Sequence, residues 1–312
     1  MITRFFRTSK PQHYFIFLAV LIGVYVFKRI RLYQSTPFSI NYTDEGLSAL
    51  AVIGAYFLVI FIITKNNLTQ KNSFAAVYFC LFSALIPEVF SNVYILVANL
   101  FVLMALRRIF SINTGVHLKK KYYDSTLWLC VATLFYPLAI LYLVPVLVSV
   151  VLLQTDGIKH LLVIGFGVMT VAVLGMTSSY IFGTDLPWNK NVDALVGFDF
   201  SAYNDPLLFG GMAFFLTVST WAILSMFKQQ MFNSNTRFLF TILLMMHIIG
   251  VAIPLITAEK SAAECLFILF PLAVLSAKIS EDNRSSWISE LIMTITLLLA
   301  TARTFLNIST FV

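Results

Sequence analysis

"GLSALAVIGAYFLVIF", residues 46–61, contains no charged side chain, and its apolar character runs on to Thr64 before Lys65 ends it. As a helix rising about 1.5 Å per residue, residues 47–64 cover most of the roughly 30 Å of hydrocarbon in a bilayer. Backbone donors in lipid have no water to bond, so a spanning segment must be a helix or a strand of a closed barrel. The run is too long for a barrel strand of about 9–11 residues, and it is read as a membrane helix. Directly ahead of it, in "SINYTDEGLSAL" (39–50), stand the adjacent acids Asp44 and Glu45.

The rest of the chain repeats this pattern. Apolar residues are 59% of the 312 and charged residues 11%, and mean hydropathy is +0.88. A soluble domain carries about a quarter charged residues, so that class is excluded. Apolar spans are expected at 13–28, 47–64, 74–87, 92–106, 125–140, 142–154, 161–183, 207–227, 238–256, 264–278 and 287–306. The fold class is therefore all-α, a polytopic transmembrane bundle of ten or eleven helices with short loops, expected as one integral membrane domain over 1–312. The spacer "PEVFSN" (87–92) is short enough for a tight helical hairpin. Pro137 and Pro145 each remove a backbone donor; if 125–154 is one bent helix, the count falls to ten.

The basic start and first apolar stretch resemble a signal peptide, yet no small-x-small cleavage site follows. Lys28, Arg29 and Arg31 come next instead, so a retained first helix is expected. With the N-terminus in the cytoplasm and eleven spans, 15 of the 21 Lys and Arg fall inside, among them Lys65, Lys71 and the dense patch Arg107, Arg108, Lys119, Lys120 and Lys121. Six fall outside: Lys28, Arg29, Arg31, Lys190, Lys260 and Arg303. That bias sets orientation in membrane proteins, and it places 107–124 and 228–237 in the cytoplasm and 183–206 on the outer side. Residues 28–31 run against the bias. They are expected at the membrane surface, with their charges reaching headgroups. In 183–206, "DALVGF" is expected as a short interfacial helix anchored by Trp188, Phe198, Phe200 and Tyr203.

Signatures of soluble enzymes are missing: no phosphate-cradling glycine loop, HExxH, GxSxG or Cys/His cluster occurs. No cofactor, metal or nucleic-acid partner is implied. Cys80, Cys130 and Cys265 lie in apolar runs as packing residues. His247, inside a span, is expected as a hydrogen-bonded helix-packing residue. The basic patch is read first as an orientation determinant, with an anionic-lipid contact and docking of a cytoplasmic partner as the other readings.

Asp44 and Glu45 admit two readings. As a helix start, Thr43 or Asp44 caps the second helix and the acids complement its dipole. As a site, a carboxylate acts as general base while Arg29 or Arg31, close to Asp44, holds the phosphate of a lipid-linked donor. The second arrangement resembles the GT-C type of integral-membrane glycosyltransferases, whose first outer loop carries an acid, often in an Asp-Glu pair. The resemblance extends over about residues 1–185. It includes the inside N-terminus, the short-looped helices and a second outer acid, here Glu88 in "PEVFSN". "NYTDEG" (41–46), "PEVFSN", and "ALRRIFSI" (105–112) ahead of "LWLCVATLFYPLAILYL" (127–143) also resemble a family of uncharacterised bacterial inner-membrane proteins distantly allied to that group.

What the resemblance implies is a polyprenyl-phosphate-sugar-dependent glycosyltransferase, with Asp44, Glu45 and Glu88 catalytic and Arg29 and Arg31 on the lipid phosphate, at the periplasmic face. The sequence departs from the GT-C pattern in its first outer loop, which has only about 18 residues and enters the next helix at once. The alternative is a non-catalytic membrane subunit or scaffold of a cell-envelope assembly, with lipids and a protein as partners. A transporter is a third reading. It is weakened because almost every charge sits near a helix end, Glu290 and Arg303 excepted.

Overall fold

A chain whose apolar runs exceed its loops has one economical way to satisfy its backbone in lipid, and it adopts it throughout. The computed structural model describes residues 6–35, 41–153, 157–183, 195–228, 236–281 and 286–309. Within them lie eleven α-helices and no β-strand. They are α1 (Pro11–Ser35), α2 (Tyr42–Lys65), α3 (Phe74–Leu85), α4 (Val93–Ile112), α5 (Leu118–Phe135), α6 (Leu143–Leu152), α7 (Gly157–Phe182), α8 (Pro206–Lys228), α9 (Arg237–Ile256), α10 (Leu266–Glu281) and α11 (Ser286–Ser309). Among the described residues, six segments are long and apolar enough to cross a membrane: α2, α4, α7, most of α8, α9, and α10 with its lead-in from Ala263. The protein is an integral, multi-pass membrane protein.

The stretch 125–154 forms two helices. Tyr136 turns extended (φ −142°, ψ 104°) and ends α5, and a 3₁₀ helix over Pro137–Tyr142 leads into α6. Proline cannot donate to the preceding turn, and the chain doubles back there. Ser149 on α6 consequently reaches the Tyr122 hydroxyl on α5 at 3.5 Å.

"PEVFSN" does not make a tight hairpin. Pro87–Phe90 is a 3₁₀ helix, and Asn92 then caps α4, its Oδ1 accepting from Tyr94 N at 2.9 Å and Ile95 N at 3.3 Å. The flanking helices part, α3 packing on α1, α10 and α11, and α4 on α2 and α5.

Helix α10 is the axis of the bundle and is buried nearly all round. It is approached most closely at Gly250 of α9, where an added Cβ would lie 3.0 Å from Ile268 Cα. Small residues allow such backbone approach in membranes, where helix association relies on packing. Helix α7 is peripheral. Its Gly167 fits against Thr126 of α5, while Phe166, Met169, Val173 and Leu174 face outward.

Two expectations are corrected here. Residues 195–197 are extended: Val196 bridges Thr257 antiparallel, Gly197 N donates to Ile256 O at 2.9 Å, and Ala258 N donates to Leu195 O at 3.1 Å. The start of "DALVGF", together with Asp185, Trp188 and Lys190, lies outside the described residues. Tyr203 is buried, its hydroxyl donating to Pro254 O at 3.2 Å, so it is no headgroup anchor. His247 is also buried, and neither ring nitrogen has a hydrogen-bond partner among the described residues.

Candidate functional site

Tyr25, Arg29 and Tyr33 recur every four residues and so share one face of α1. That face meets the first turns of α2. The Tyr25 hydroxyl lies 2.6 Å from Ser48 Oγ and donates to Glu45 Oε2 at 3.2 Å. Arg29 Nε donates to the same oxygen at 3.0 Å, while Arg29 Nη2 and the Tyr33 hydroxyl both donate to Glu45 Oε1. Arg29 Nη1 donates to Ser91 O at 3.0 Å, just ahead of α4. Each of the three guanidinium nitrogens thus donates to a described acceptor, and the arginine is buried.

One residue earlier on α1, Lys28 Nζ lies 3.3 Å from Glu88 Oε1. The other Glu88 oxygen is 2.9 Å from Arg303 Nη2, and that nitrogen is 3.6 Å from Asp205 Oδ2. Arg303 Nη1 donates to Leu85 O, the last carbonyl of α3, at 3.2 Å. Three cations thus face three carboxylates. The contacts join α1, α2, the 3₁₀ helix after α3, the start of α8 and the far end of α11. Buried charges persist in membranes when they are paired in this manner. Helices α1 and α11 are thereby clasped together through Glu88 at one end of the bundle.

Each candidate residue has a definite place. Glu45 and Glu88 enter the clasp, in separate pairs. Asp44 stands outside it, at a cap built two residues earlier than expected on Asn41. Asn41 Oδ1 accepts from Thr43 N at 3.3 Å, and its Nδ2 donates to Asp44 Oδ2 at 2.9 Å. Arg29 meets Glu45 rather than Asp44. Arg31, half-buried, lies over the Phe27 ring at 5.2 Å.

Arg107, Arg108, Lys119, Lys120 and Lys121 lie at the opposite end, where α4 finishes and α5 begins. There Arg108 pairs with Asp124 at 2.9 Å. Glu281, at that same end, accepts from Asn72 Nδ2 at 2.8 Å and pairs with Lys278 at 3.0 Å.

The sequence reading missed Tyr25, Tyr33, Ser48 and Asp205. The four-residue spacing of Tyr25, Arg29 and Tyr33 was the available signal for the first two. Nothing in sequence joins Asp205 to a residue almost a hundred positions later.

Beside the clasp, α8, α9 and α10 enclose an apolar cleft of about 340 Å³, within the range of small-molecule sites. Its lining includes Phe200, Tyr203, Met212, Leu255 and Cys265. Below the 3₁₀ turn at Ser201–Tyr203, Lys260 Nζ donates to Gly197 O at 2.7 Å and stands 4.7 Å from the Phe200 ring centroid. Asp199 faces this lysine. Hydrogen bonds from the Ser201 amide and hydroxyl, more than the lysine, hold its carboxyl below the usual range. The three cysteines are free and buried.

Comparison with curated proteins gives no match, and neither does comparison with solved structures. One family model, described as a family of unknown function (DUF6427), matches residues 6–312, and the chain, a helical bundle clasped at one end by ion pairs, belongs to that family.

Proposed function

We propose that the protein is a non-catalytic membrane subunit, a scaffold within a cell-envelope assembly, with its clasped end on the periplasmic side. The observation that carries this reading is the commitment of the carboxylates. Glu45 accepts from Arg29, Tyr25 and Tyr33, and Glu88 is shared by Lys28 and Arg303. A general base must reach the proton it removes at roughly 2.6–3.2 Å; both Glu45 oxygens already accept from protein donors, and Glu88 is held by two cations. A network that closes one end of a bundle is suited to holding helices in register.

The cleft favours a second reading. An apolar cleft beside buried charges suits the chain of a polyprenyl-phosphate-linked sugar, so a GT-C-like role remains the rival.

Asp44 separates the two. Asn caps a helix nearly as well as Asp. On the scaffold reading, the Asp44→Asn protein should accumulate to wild-type levels in cells and leave envelope glycan profiles unchanged. Glu45→Gln, which weakens the clasp, should lower the amount of protein in the membrane. A glycan defect in Asp44→Asn at normal protein level would move the protein back among the enzymes.

Orientation is open to direct test, because the three native cysteines are buried and contribute little background. Single cysteines at Asn204 and Thr114, both exposed, should react with an impermeant maleimide from opposite faces, Asn204 in intact cells and Thr114 only after permeabilisation. Labelling of both from one face contradicts the topology.

A further inference from the structure

At the end of the bundle opposite the clasp, positive charge is concentrated beyond what the nearby acids balance. Lys65 closes α2, and one turn before it Phe61 is exposed on the bundle surface. The Lys65 ammonium lies 5.3 Å from the centroid of that ring, and the Arg107 guanidinium of α4 lies 4.8 Å from the same centroid. Two cations on one aromatic ring are at most about 10 Å apart, and each gains a little from the ring's negative face.

Behind them, Lys121 Nζ donates to Ser111 O at 2.5 Å and to Thr114 Oγ1 at 2.7 Å. Burial, with Arg108 and Lys65 nearby, pulls the Lys121 ammonium below its usual range. The described carboxylate in this group is Asp124, and Arg108 already holds it at 2.9 Å.

The surroundings say what would balance the excess. Phe57 and Phe61 stand one turn apart on an outward face of α2, and Leu50 is exposed two turns further down. The cations therefore sit at the charged end of an outward-facing apolar stripe on a helix long and apolar enough to cross a membrane. An arginine and a lysine converging from two helices can grip the oxygens of one phosphate by charge-assisted hydrogen bonds. We propose that Lys65 and Arg107, backed by Lys121, form a site for the phosphate of one anionic phospholipid, whose chains run down α2 over Phe61 and Phe57. The site is separate from the clasp, and it asks nothing of the reading given above for the protein as a whole.

The test uses the full-length protein in detergent, titrated with phosphatidylglycerol or phosphatidylcholine and read by native mass spectrometry. Wild type should retain one phosphatidylglycerol in preference to phosphatidylcholine. Each basic residue near an anionic surface contributes roughly 1 kcal/mol, so Arg107→Gln should weaken retention about fivefold and Lys65→Gln/Arg107→Gln about thirtyfold. Lys119→Gln/Lys120→Gln, which changes the same net charge on the exposed first turn of α5, should leave it unchanged.

If the double variant fails to fold, Arg107→Gln alone decides: an undiminished affinity overturns the proposal. Equal retention of the two lipids overturns it as well, as does an equal loss in the Lys119/Lys120 control, which would mean a diffuse field. Displacement of the lipid by millimolar inorganic phosphate would assign the site to a free anion and overturn the lipid assignment.

Discussion

Glu88→Leu should lower the thermal midpoint in detergent more than any other single change in the clasp. Removing one member of a buried ion pair strands its partners and costs about 3–5 kcal/mol, a large share of the roughly 5–15 kcal/mol that separates folded from unfolded domains. Arg303 is nearly inaccessible, and without Glu88 its remaining described partners are the Leu85 carbonyl at 3.2 Å and Asp205 at 3.6 Å, a carboxylate half in solvent. Lys28 loses its carboxylate at the same time.

The cost comes mainly from the stranded charges, so removing the arginine too should return part of it. Glu88→Leu/Arg303→Leu should therefore be more stable than Glu88→Leu. A buried pair replaced by apolar residues is often neutral or stabilising. Equal midpoints for wild type and Glu88→Leu would mean the pair contributes nothing to holding α11 against α3.

Gly250→Leu should be the most damaging substitution in the apolar interior. Even the first carbon, as in Gly250→Ala, would stand 3.0 Å from Phe267 O and Ile268 Cα and 3.2 Å from Ile268 N. All three are backbone atoms of the central helix α10, and no rotamer change moves them. Overpacking of a tight core costs about 1–3 kcal/mol, and leucine adds three carbons beyond alanine in the same direction. Gly54→Ala is the control. Its Cβ would meet Leu100 Cδ1 at 3.1 Å, the far end of a side chain that can turn away. Unfolding midpoints should separate the two alanine variants clearly. If Gly250→Ala melts with wild type, α9 does not rest on α10 at this distance.

The two substitutions probe different kinds of information. The helices were legible in the sequence because lipid imposes one local rule: each spanning segment must satisfy its own backbone, and the length of the apolar run carries that requirement. For the same reason the division of charge between the two ends could be read residue by residue. The acidic group around Glu45 and Glu88 and the basic group around Arg107 and Lys121 occupy opposite ends of the bundle, as the alternation of spans demands.

Pairing was not legible. Helical periodicity places Tyr25, Arg29 and Tyr33 on one face of α1, but it does not say which of two adjacent acids that face will meet. Neighbouring residues on a helix point about 100° apart, and the crossing of α1 and α2 presents Glu45 to Arg29 while leaving Asp44 at the Asn41 cap. Nor does any local rule bring Arg303 to Glu88, 215 residues away in the chain. That contact depends on α11 packing against α3, which is settled by the shapes of side chains along both helices. Composition and run length determined that this is a membrane bundle; tertiary packing decided that Glu45 and Glu88 are held in ion pairs, because a buried charge is tolerated only where the fold supplies a partner.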